Sequence, residues 1–100
     1  ITDYALKDPI ISEIVKTRAK TIYSLGSPSI RYELENTNTL LGAVKGISGA
    51  KTGWTDAAQG VLTTVVTRNG HEIITVVMHS ANREEDTRTL IEWAYANFEW

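Results

Sequence analysis

The residues of this 100-residue chain best suited to chemistry lie in the run Gly49-Ala50-Lys51-Thr52-Gly53-Trp54-Thr55. An ammonium held on a strand, as at Lys51, can bind a peptide's terminal carboxylate and stabilise charge that develops during acyl transfer. The adjacent Thr52 hydroxyl adds a directed hydrogen bond. Gly53 carries no side chain to obstruct a substrate lying along the strand edge. The plainer reading of Lys51 is a solvated strand lysine.

Other residues imitate catalytic patterns and read more simply as structure. Ser48-Gly49-Ala50-Lys51 spells Ser-x-x-Lys, but glycines and an extended pattern surround it where a nucleophile of that kind opens a helix. Ser80-Ala81-Asn82 spells Ser-x-Asn at a strand-to-helix junction, where capping residues are expected. His71 and His79 have no acidic or sulfur partner at ligand spacing and read as surface or packed histidines, so no metal is expected. Trp93, Tyr95, Phe98 and Trp100 are spaced as helix packing residues, and Glu84, Glu85, Asp86 and Arg88 as a solvated first helical turn.

The elements that must position these residues follow from periodicity. Residues 1–7 read as the end of a helix, and Asp8-Pro9 restarts one, with Ile10, Ile11, Ile14 and Val15 as its apolar face opposite Ser12, Glu13 and Lys16. Residues 20–23 and 30–34 predict two short strands around Gly26-Ser27-Pro28, and residues 36–42 predict a loop or one helical turn. Residues 60–68 and 71–80 are β-rich runs separated by Asn69-Gly70, the signal for a two-residue type I′ hairpin. Both runs carry apolar or β-branched residues on alternate faces, which predicts strands covered on both faces. A closing helix begins near the cap Asn82 and presents Leu90, Ile91, Ala94, Tyr95 and Phe98 as a stripe, enough to cover only one sheet face.

With these motifs in place, the chain resembles the low-molecular-weight penicillin-binding D-alanyl-D-alanine carboxypeptidases. Lys51-Thr52-Gly53 matches a signature triplet that these proteins share with serine β-lactamases. The resemblance extends to Asn36-Thr37-Asn38-Thr39-Leu40-Leu41, Gly46-Ile47-Ser48-Gly49, Trp54-Thr55-Asp56-Ala57-Ala58, the Asn-Gly hairpin, Asp86-Thr87 and the upstream Ile14-Val15-Lys16-Thr17. One departure is Gln59, where the family usually has Gly.

The resemblance implies an α/β fold of α+β type, an antiparallel sheet with helices that forms part of a β-lactamase/transpeptidase-like domain over residues 1–100. It implies a parent serine carboxypeptidase, outside the cytoplasmic membrane, that removes the terminal D-Ala of peptidoglycan stem peptides and is acylated by β-lactams. Lys51 and Thr52 would bind the substrate carboxylate, Gly53 would give clearance, and Thr55 would complete the substrate-binding set. The Trp54 amide would be one of two oxyanion-hole donors. No cofactor is implied. The nucleophilic Ser-x-x-Lys and the Ser-x-Asn precede the triplet in the family, and the chain opens on Ile1-Thr2-Asp3-Tyr4 as though cut from something longer. The expectation is a C-terminal fragment, inactive alone, held by a complementary N-terminal half or self-associating through the 71–80 strand.

Composition is compatible with this. A net charge of −2 with interspersed signs offers no basic stripe for nucleic acid, and 42% apolar with 22% charged residues suits one globular domain. There is no cysteine, hence no disulfide or thiolate site. The rivals are a β-lactamase-like hydrolase, against which Asn36–Leu41 and Trp54-Thr55 argue, and a non-catalytic α/β module that binds a peptide at a strand edge.

Overall fold

A computed structural model describes all residues, Ile1–Trp100. Its centre is the Asn-Gly hairpin. Asn69 and Gly70 both take positive φ, 51° and 79°, as a type I′ turn requires, and they join β4 (Gln59–Arg68) to β5 (His71–Ser80) in the register Arg68↔His71. β3 (Ile47–Thr55) pairs antiparallel with the other side of β4, giving the order β3-β4-β5, with β3 and β5 at the edges.

Three helical segments and a second ribbon complete the chain. The first segment is the single turn α1 (Thr2–Ala5). In α2 (Pro9–Lys16) the Asp8 side chain accepts from the amides of Ile10 and Ile11, and Pro9 occupies the first position, so the helix restarts where the sequence predicts. β1 (Ala19–Tyr23) and β2 (Arg31–Glu35) form a separate antiparallel ribbon. α3 (Arg83–Asn97) starts at Asn82, whose side chain accepts from the Glu85 amide at 3.2 Å.

One face of the sheet carries the core. Leu62, Thr64 and Val66 point to the same side of β4, opposite Val77, Thr75 and Ile73 of β5, and α3 lies over them with Ile91 fully buried. Leu40 and Val44 of the 36–46 loop join Leu62 there. Each such buried side chain stabilises the fold by about 1.5–3 kcal/mol. Thr64 and Thr75, both buried, satisfy each other across the ladder at 2.5 Å. The loop meets the sheet at Gly46, where φ is +90° and an added Cβ would lie 2.3 Å from the Thr67 carbonyl oxygen; the Thr67 amide donates to Gly46 O at 3.0 Å.

The far end of α3 is pinned to the hairpin. Arg68 donates two hydrogen bonds to the Glu92 carboxylate, at 2.8 and 3.1 Å, and lies over the Tyr95 ring. Those hydrogen bonds hold the Glu92 carboxyl below its ordinary range and raise Arg68 further. The Tyr95 hydroxyl donates to the His71 carbonyl at 2.7 Å and lies 3.0 Å from that of Val66.

Several expectations need correction. On the second face of β4 only Val65 is buried, with Val61 and Thr63 half-buried, and β5 is barer still: Val76 is 55% and Met78 69% exposed, because α1 and α2 reach only the β3 side and the Glu72–Ile74 end. The apolar stripe of α2 is used only in part. Val15 packs on Gly49, whereas Ile10 and Ile14 face solvent. The β1–β2 ribbon is exposed on both faces, which accords with the elongated extents of 56 × 34 × 24 Å. Phe98 lies past the end of α3 and is exposed; it meets Trp93 edge-on, while Trp100 stacks on His71.

Candidate functional site

The Lys51–Thr55 segment is the second half of an edge strand. β3 pairs only with β4, through Lys51↔Thr63, Thr52↔Leu62, Gly53↔Val61, Trp54↔Gly60 and Thr55↔Gln59, so its other edge is open. Strand alternation sends the Lys51 and Thr52 side chains to opposite faces. Thr52 takes the face of Leu62 and the 36–46 loop, and Lys51 that of Thr63 and Val76.

Lys51 is exposed, and its ammonium donates to the Thr52 carbonyl without forming an ion pair. Thr52 is half-buried, and its hydroxyl lies 2.5 Å from that of Thr37. Gly53 is half-buried beside the Val61 side chain, and the Trp54 indole stands 64% exposed. Thr55 accepts from the Ala58 amide at 2.9 Å through its side chain, closing the turn into β4. The first residue of β4, Gln59, has φ +51°, a left-handed conformation that glycine adopts without strain, so the unusual residue keeps a glycine-like backbone.

Two side chains missed at the level of sequence belong to this neighbourhood. Arg83, the first residue of α3, donates through Nη1 to the Gly53 carbonyl at 2.9 Å and through Nε to Glu84 at the same distance. It is largely buried and helps line a hollow of about 250 Å³ with Trp54, Gly60, Ser80, Ala81 and Glu84. Gly60 lets it seat there, since an added Cβ would come within 2.7 Å of Ser80 O and 3.2 Å of Arg83 Cβ. A cation at a helix's first position opposes the helix dipole, and that was the signal in the sequence. Thr37 gave no such signal. It is an exposed hydroxyl between two anchored asparagines: Asn36 Nδ2 donates to the carbonyls of Val15 and Thr17, and Asn38 is buried with its Oδ1 accepting from Leu40.

The imitation motifs occupy structural positions. Ser48 sits at the β3 bulge, and no hydrogen bond joins it to Lys51. Ser80 is buried; its hydroxyl donates to Asp86 and accepts from the Asn82 amide at 3.0 Å, so it braces the start of α3. Asp86 is thereby engaged, not merely solvated. Glu84 likewise pairs with Arg83.

Comparison with known proteins gives the family and the fold. The family model for D-alanyl-D-alanine carboxypeptidase matches residues 1–82. A D-alanyl-D-alanine carboxypeptidase of Streptomyces sp. (strain K15) is 32% identical over 102 aligned positions, covering 96% of this chain and 35% of its own length. The crystal structure of the Streptomyces K15 DD-transpeptidase superposes with a TM-score of 0.85 at 29% identity, over 93% of this chain and 38% of that one. Penicillin-binding protein D2 from Listeria monocytogenes, in its cefotaxime-bound form, gives a TM-score of 0.73 at 30% identity, over 91% and 36%. The chain thus spans little more than a third of the relatives it matches, and its antiparallel sheet with helices has their fold.

Proposed function

The chain belongs to the D-alanyl-D-alanine carboxypeptidase family, and from that premise we propose that it supplies the substrate-binding strand of a serine D,D-carboxypeptidase acting on peptidoglycan stem peptides outside the cytoplasmic membrane. The observation that carries this reading is the Lys51-Thr52-Gly53 run on an open sheet edge, with the ammonium of Lys51 uncommitted to any carboxylate. An extended peptide ending in D-Ala-D-Ala would lie along β3. Its carboxylate would meet the Thr52 hydroxyl and the Lys51 ammonium, charge-assisted contacts of about 1.5–3 kcal/mol each. The long Lys51 side chain leaves the opposite face of the strand but already reaches back to the Thr52 carbonyl. Gly53 leaves the approach clear, Thr55 holds the turn, and the Trp54 amide is assigned to the oxyanion that forms when the peptide carbonyl is attacked.

The attacking serine is not among these residues. The only Ser-x-x-Lys in the chain is Ser48–Lys51, on a strand, and the only Ser-x-Asn is spent on bracing α3. The chain is therefore assigned a binding role, inactive by itself, with the nucleophile supplied by a complementary N-terminal half. β-Lactams are expected to use the same carboxylate contacts. The bare outer edge of β5 with Val76 and Met78 is the surface for that half or, failing it, for a second copy.

The test is an NMR titration of the isotope-labelled chain with a peptide ending in D-Ala-D-Ala. Shifts centred on residues 51–55 are expected, and shifts confined elsewhere, or none, overturn the reading.

A further inference from the structure

Thr52 has one hydroxyl proton, and the chain already provides that hydroxyl with a partner: Thr37 Oγ1, 2.5 Å away. A carboxylate only accepts hydrogen bonds, so a Thr52 hydroxyl that serves it must donate to it. Its contact with Thr37 can then survive in one direction only, with Thr37 donating to Thr52. We propose that Thr37 is a positioning residue for substrate carboxylate binding: its hydroxyl donates to Thr52 Oγ1 and thereby turns the single Thr52 proton toward the ligand. This rests on the carboxylate reading of Lys51 and Thr52.

The surroundings of Thr37 suit that role. Asn36 is fixed by the carbonyls of Val15 and Thr17, at 3.2 and 3.0 Å, and its Oδ1 accepts from the Asn38 amide at 2.9 Å. Asn38 is buried, and the Leu40 amide fixes its amide orientation. The flanking asparagines face inward and leave Thr37 directed at the strand, held by a loop whose Leu40 and Val44 are in the core. Thr37 is itself exposed, so water can satisfy its remaining lone pairs while its proton points at Thr52. A hydroxyl that receives a hydrogen bond becomes a better donor, so the pair also strengthens the contact to the carboxylate.

The experiment titrates the chain with two probes, N-acetyl-D-alanine and N-acetyl-D-alaninamide, following the amide shifts of Lys51 and Thr52. They differ in the carboxylate alone. Thr37→Val is expected to weaken the carboxylate probe about fivefold, the worth of one ordinary hydrogen bond, to leave the amide probe unchanged, and to be rescued by Thr37→Ser. Equal weakening of both probes, or failure of Thr37→Ser to rescue, would mean that Thr37 only shapes the loop and overturns the proposal. Carboxylate binding that is undiminished in Thr37→Val overturns it while leaving the Lys51–Thr52 reading intact. No carboxylate-specific response in the unaltered chain overturns that reading and the proposal together.

Discussion

Arg83 donates a hydrogen bond to the carbonyl of Gly53 at 2.9 Å, tying the first turn of α3 to the glycine of the Lys-Thr-Gly run. The two residues are thirty apart in sequence, and the open edge strand has β4 as its only ladder partner. The guanidinium therefore braces a segment that would otherwise be held from one side.

Arg83→Ala should lower stability by about 1–3 kcal/mol, since it leaves the half-buried Gly53 carbonyl without its charged donor. Denaturant unfolding of the two proteins under identical conditions checks this. A midpoint unchanged within error would show that the brace contributes nothing.

Gly46→Ala and Gly70→Ala separate close approach from backbone preference. Both positions have positive φ, but an added Cβ at Gly46 meets the Thr67 carbonyl at 2.3 Å, whereas at Gly70 it meets nothing within 4 Å. Gly70→Ala should cost about 1–2 kcal/mol for the left-handed backbone alone. Gly46→Ala should cost clearly more, because the loop carrying Leu40 and Val44 must shift off the sheet. Equal melting points for the two variants would contradict this.

Much of this architecture was legible in the residues. Asn69-Gly70 announces its turn because few other pairs take positive φ twice, and Asp8-Pro9 and Asn82 announce helix starts because capping is local chemistry. The exposure of Val76, Met78, Ile10 and Ile14 was not legible, since an apolar pattern shows which faces can be buried and says nothing of whether a cover is present. At the site, the Lys-Thr-Gly run could be found by residue type and spacing. Arg83 showed only an unfavourable charge at a helix start and Thr37 showed nothing, because what matters about both is a contact across thirty and fifteen residues of chain. Periodicity does not report such contacts.

The Arg68–Glu92 pair gives a pH dependence with a definite sign. Hydrogen bonds from Arg68 hold the folded Glu92 carboxyl below its unfolded value. A depressed carboxyl stabilises the fold above the unfolded range, about pH 4.3, and that contribution is lost as pH falls through the folded value. Glu92→Gln should therefore melt below the unaltered chain at pH 7, and the gap should close on acidification below about pH 4. The group is largely exposed, so the gap should also shrink in high salt. A gap that is constant with pH would contradict the assignment.

Association is expected from β5. Its outer edge is unpaired along ten residues, and Val76 and Met78 stand on an uncovered face beside it. Sedimentation at micromolar concentration should show self-association that a complementary N-terminal half suppresses. A single monomeric species across the concentration range would show that the bare edge is tolerated.

The central claim is that this chain holds the substrate-binding strand and no activated serine. Intact-mass spectrometry after incubation with benzylpenicillin tests it most directly, because acylation adds the whole drug to the nucleophile. The expected result is an unchanged mass at concentrations that fully acylate a complete penicillin-binding protein in the same tube. A stoichiometric adduct that maps to Ser48 would contradict the account, since it would make Ser48-Gly49-Ala50-Lys51 a working nucleophile and base.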